Sequence, residues 1–89
     1  MRHAREQALD ALEDVLVAVR AFGGVTERKR GTFYRKPAGF LHFHEDPAGL
    51  FADLKVGADW ERFRVTTPEE RLSLLASVEA LLAAPAVRG

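Results

Sequence analysis

The sequence predicts an α+β fold, a two-layer sandwich in which an antiparallel meander of four to five strands lies between a first and a last helix. Apolar residues recur at three- and four-residue spacing near both ends of the chain. Between those ends lie three short apolar and aromatic runs, and two Pro-Ala-Gly turns, ten residues apart, separate them.

The first helix is expected over 2–22. Leu9, Leu12, Val15, Leu16, Val19 and Phe22 form its apolar stripe, no Gly or Pro interrupts it, and Gly23-Gly24 ends it. Its outer side carries Glu6, Asp10, Glu13 and Asp14, read as a solvated face, with a weak cation or partner site as the sharper reading. His3 falls on the frayed start of this helix, away from the other two histidines.

The sheet is expected over 25–65. Arg28, Lys29, Arg30, Arg35 and Lys36 crowd its first part. Strand alternation divides those charges between two faces, and basic residues on an edge strand discourage edge-to-edge pairing. Pro37 and Pro47 preset φ at the second position of each turn, and Gly39 and Gly49 tolerate positive φ at its exit. With two-residue loops, Tyr34, Leu41 and Leu54 form one cross-strand row and Thr32, Phe43 and Ala52 another, which gathers one apolar side. The other side then presents Phe33, His42, His44, Phe51 and Asp53, with His42 opposite Asp53 and His44 opposite Phe51. A three-residue loop with a glycine bulge would shift this register by one. Gly57 to Asp59 make a further turn, and in Trp60 to Val65 the residues Trp60, Arg62 and Arg64 share a face. The last helix, 67–84, opens on a capping box with Thr67 at the N-cap, Pro68 at the first helical position and Glu70 at the third. Leu72, Leu75, Val78, Leu81 and Leu82 form its expected buried stripe, Pro85 stops it, and 86–89 are a tail.

Eighty-nine residues suit one domain. No cysteine is present, which excludes disulfides, thiolate chemistry and cysteine-ligated zinc. Thirteen basic and thirteen acidic side chains balance, so bulk charge draws the chain to neither nucleic acid nor anionic membrane. With no secretory apolar segment, a cytoplasmic location is expected. Nucleophilic catalysis finds little support: Ser73 and Ser77 sit inside the last helix, and no glycine-framed serine or phosphate loop occurs.

Both helices need the apolar side of the sheet, so the opposite side has nothing in the chain to cover it. That face, with Phe33, His42, His44, Phe51, Asp53 and Trp60, is the candidate ligand cavity or dimer interface. His42-x-His44 puts two imidazoles about 7 Å apart on one face of a strand. Asp53 on the next strand could complete a two-histidine, one-carboxylate metal set, or pair with a histidine for acid-base work or a purely structural hydrogen bond.

The run GVTERKRGTFYRK followed by GFLHFHEDPAGLFADL resembles part of a small bacterial domain called luciferase-like, over about Gly24 to Leu54. There a first helix leads to a GV-x-E-R segment, and an aromatic-rich strand carries H-x-H before an Asp-Gly turn and a short apolar strand. The resemblance implies a bacterial origin and assigns neither an activity nor light emission. After the second hairpin this chain departs from that pattern, running through WERFRV directly into the last helix. The gross order is also similar to frataxin-like sandwiches at the level of fold alone.

The leading expectation is therefore a non-enzymatic cytoplasmic binding domain that uses the uncovered sheet face and self-associates there as a homodimer, with no resident cofactor. The alternative is a small metal-dependent or acid-base enzyme using His42, His44 and Asp53, with a divalent metal. A second alternative is single-stranded nucleic-acid binding through Arg28, Arg30 and Arg35.

Overall fold

The computed structural model describes residues 1–83, so the expected stop at Pro85 and the tail at 86–89 lie outside the described residues. It shows an α+β globule with the elements β1 (Arg2–His3), α1 (Glu6–Ala11), α2 (Glu13–Phe22), β2 (Thr26–Lys29), β3 (Thr32–Arg35), β4 (Ala38–Asp46), β5 (Gly49–Val56), β6 (Asp59–Arg64) and α3 (Pro68–Ala83). All strand pairs are antiparallel, in the order β2-β3-β4-β5-β6, with β1 joined to β4 outside that path.

The meander is as expected, and the additional strand is β1. Instead of extending the first helix to residue 2, the chain pairs Arg2 with Glu45 and His3 with His44, and the Ala4 amide then donates to the Phe43 carbonyl at 3.0 Å. The helical residues also divide at Leu12, whose φ of −102° and ψ of 11° leave the α region. Its amide is shared between the Ala8 and Leu9 carbonyls, both at 3.1 Å, a local tightening that keeps the apolar stripe on one side.

That stripe is the helical half of the core. Leu9, Leu12, Val15, Leu16 and Val19, with Leu74 and Val78 of α3, bury themselves against Phe33, Phe40, Leu41, Phe43, Ala52, Leu54 and Val65. Two placements differ from expectation. Phe33 is 1% exposed and belongs to this core, not to the open face. The loop between β3 and β4 is Lys36-Pro37, one residue earlier than expected, so Tyr34 pairs with Gly39, and a bulge then sets Phe33 opposite Leu41. One extra residue in the ladder transfers Phe33 to the helix side. In α3, Leu72 is 68% exposed, and Leu74 takes the buried position.

The second hairpin has the expected two-residue register, and the third turns on Gly57-Ala58, so that Asp59, expected in the turn, already pairs with Val56. His42 pairs with Asp53, His44 with Phe51, Asp53 with Arg62 and Lys55 with Trp60. Gly49 leaves its turn at φ +142°, and a β-carbon there would strike Thr66 Oγ1. Gly39 does not use positive φ; instead it faces the Trp60 ring, with Cη2 3.6 Å from the position a β-carbon would take.

The acidic stripe of the first helices is satisfied internally. Arg30 donates to Glu6 at 3.1 Å, Asp10 at 2.7 Å and Glu13 at 2.7 Å, which ties the end of β2 to α1 and α2. No helix among the described residues is long and apolar enough to cross a membrane.

Candidate metal centre

The center of the open face is a three-histidine cluster. β4 supplies His42 and His44 by simple alternation, and β1, lying along the same strand, brings in His3. The His3 and His44 rings stack with centroids 4.9 Å apart, His42 meets His44 edge-on at 4.9 Å, and His3 and His42 are 5.8 Å apart. Each histidine offers a ring nitrogen, and these nitrogens all lie within 4.8 Å of one another. Ligands bound tetrahedrally at about 2.1 Å from a zinc ion stand about 3.4 Å apart. Small side-chain rotations would therefore close the set around an ion.

The expected carboxylate ligand has another task. Asp53 is only 8% exposed and accepts two parallel hydrogen bonds from Arg62, from Nε at 2.8 Å and Nη2 at 2.9 Å. This guanidinium holds the Asp53 carboxyl below its ordinary pKa, against the opposing effect of burial, so it is an anion. His44 Nε2 lies 3.0 Å from Asp53 Oδ2, close enough for an ion pair, but it makes no hydrogen bond of adequate geometry. His42 Nδ1 and His44 Nε2 are both buried without a hydrogen-bond partner. With Asp53 beside His44 Nε2, the nitrogen left with no polar neighbour is His42 Nδ1, a demanding arrangement because buried polar atoms are nearly always satisfied. Burial, and secondarily the charge of His44, keeps His42 below the ordinary imidazole pKa, which favours the neutral ring with a free lone pair.

Around the cluster, the face is aromatic and cationic. Trp60 stands edge-on to His42 at 4.8 Å and is 44% exposed. Lys55 lies over Trp60 at 5.1 Å, Arg64 over Phe51 at 5.6 Å and Arg28 over Tyr34 at 4.6 Å. Of the expected site residues, His42, His44, Phe51, Asp53 and Trp60 are thus brought together, and Phe33 is not. Sequence reasoning missed His3: a two-residue strand carries no periodic signal, and only the presence of a third histidine pointed to it. Of the three arginines named for nucleic acid, Arg30 is taken by carboxylates and Arg35 donates to the Leu81 carbonyl at 3.1 Å.

Fold and cluster together define an α+β sandwich that carries three histidines on its uncovered sheet face. No protein-family model, curated protein or solved structure matches the chain.

Proposed function

We propose that this protein is a small metal-binding domain that holds one divalent transition-metal ion on His3, His42 and His44. The observation that carries the reading is the buried, unpartnered Nδ1 of His42, with two further imidazoles packed against its ring and a ring nitrogen of each of the three within 4.8 Å of the others. Imidazole ligands suit zinc, copper or nickel, and three protein ligands leave a coordination position open. Asp53, itself held by Arg62, faces Nε2 of His44 and would orient that ring as an outer-shell partner, leaving Nδ1 of His44 as its ligand atom. The reading is one of binding: Asp53, the carboxylate beside the cluster, is committed to Arg62.

The cationic rim favours a ligand over a second copy of the face. A two-fold contact would bring two such rims, each carrying Arg28 and Lys55, into one interface, where like charges repel.

The test is zinc titration by calorimetry on protein without a histidine tag, with cobalt absorption as an independent readout of nitrogen coordination. One equivalent is expected. His42→Ala and His44→Ala should abolish binding and His3→Ala should weaken it at least about tenfold, whereas Asp53→Asn should weaken it by about 10- to 100-fold with the stoichiometry kept. Unchanged binding in His3→Ala, or no zinc bound by the wild type, would refute the three-histidine site.

A further inference from the structure

Beside the histidine cluster, the sheet is not continuous. β3 pairs with β4 only as far as Leu41, and β1 takes over at His44, which leaves a gap along the β4 edge. A cleft of about 610 Å³ occupies this gap, with His3 on one wall. Its body is apolar and aromatic, formed by Ala4, Leu9, Phe43 and Tyr34, and its polar lining is mostly basic, with one carboxylate, Glu6, that accepts a hydrogen bond from Arg30. Such a volume falls in the range of small-molecule sites.

Not all of the basic groups are available. Arg30 is held by Glu6, Asp10 and Glu13, and Arg5 bonds to Glu45. Arg28 and Lys29 have no carboxylate partner among the described residues. Both line the cleft although they are neighbours on a strand. The reason is local: Glu27 pairs with Phe33 and Lys29 with Thr32, so Arg28 is the extra residue of a bulge. Bulges re-aim side chains, and this one directs two adjacent cations to the same opening.

We infer that this cleft binds a small anion with a flat apolar body, such as an aryl phosphate or an aryl carboxylate. Arg28 and Lys29 take the anionic group, Tyr34 takes the ring above the buried floor of Leu9 and Phe43, and the open coordination position of the ion on His3 would add a second hold on the anion. The inference rests on the metal-binding reading for that second hold. Charge alone would draw phosphate to many surfaces; the apolar lining is what selects a ring-bearing ligand.

The experiment is calorimetric titration of phenyl phosphate into zinc-loaded and zinc-free protein, with inorganic phosphate and benzoate as companion probes. Phenyl phosphate should bind the zinc-loaded wild type more tightly than inorganic phosphate does. Loss of zinc should weaken it, and Arg28→Gln with Lys29→Gln should weaken it about tenfold or more, as expected for loss of charged hydrogen bonds. Those two residues lie on an edge strand with exposed side chains, so circular dichroism and zinc stoichiometry should match the wild type. Benzoate binding in preference to phenyl phosphate would assign the carboxylate source and keep the cleft. Equal affinity for phenyl phosphate and inorganic phosphate, no effect of the double substitution, or no heat from a zinc-loaded sample would overturn the inference and leave the metal site standing. A wild type that retains no zinc would instead fail the metal-binding reading itself, and the inference with it.

Discussion

Glu27 accepts three hydrogen bonds, from Arg20 Nε at 2.6 Å, Arg20 Nη2 at 3.0 Å and the Gly31 amide at 2.8 Å. Arg20, the largest cause, and the Gly31 amide hold its carboxyl below the ordinary value of 4.5, against the opposing effect of burial. A carboxyl lowered in the folded state contributes stability that is present above pH 4.5 and disappears as the pH falls through the folded-state value. Glu27→Gln should therefore cost about 1 to 2 kcal/mol at pH 7, the scale of charge-assisted hydrogen bonds. Urea unfolding at pH 7 and at pH 3 would check it: the difference between variant and wild type should shrink at the lower pH, and an equal loss at both would show that the charge is irrelevant. At this scale the sequence was most legible where alternation and turn length suffice, as for His42 opposite Asp53. It was least legible where a single inserted residue decides the face, as for Phe33, or where pairing joins distant residues, as for His3.

At the scale of the element, α3 shows both outcomes. Its start was readable because capping chemistry is local: the Glu70 amide bonds to Thr67 Oγ1 at 3.2 Å, and the Thr67 amide bonds to Glu70 Oε1 at 3.0 Å. Its rotation was not, because Leu72, Leu74 and Leu75 supply apolar residues to two competing stripes. Arg71 helps fix the choice, donating from Nε to the Val65 carbonyl at 2.9 Å and from Nη2 to the Thr66 carbonyl at 3.2 Å. Leu74 is then fully buried, whereas Leu72 points to water. Leu74→Ala should destabilise by about 2 to 5 kcal/mol, whereas Leu72→Ala should stay within about 0.5 kcal/mol. Denaturant midpoints of the two variants measure this, and comparable losses would mean that the helix is rotated from the described placement.

For the whole molecule, the two-layer architecture followed from a simple requirement: amphipathic helices at both ends and one sheet with one apolar side must meet. That requirement also left one face free, and the histidines stand there. The core is complete without a metal, since Leu12, Val15, Leu16, Val19, Leu41, Leu54, Leu74 and Val78 are all fully buried. Zinc should therefore add to the stability of a chain that already folds. At free zinc one hundred times its dissociation constant the gain is about 2.7 kcal/mol, read as a rise in melting temperature that His42→Ala abolishes. A rise of the same size in that variant would place the zinc elsewhere.

The position of His3 gives that stabilisation a particular form. Its two companions lie about forty residues further along the chain, and the intervening segment contains α1, α2, β2 and β3. An ion shared by the three rings closes this segment into a covalent-like ring, and loop-closure entropy makes such a ring restrictive for the unfolded chain. The ion would act as a reversible staple, comparable in placement to a disulfide in a chain that has no cysteine, and chelation would undo it without chemical reduction.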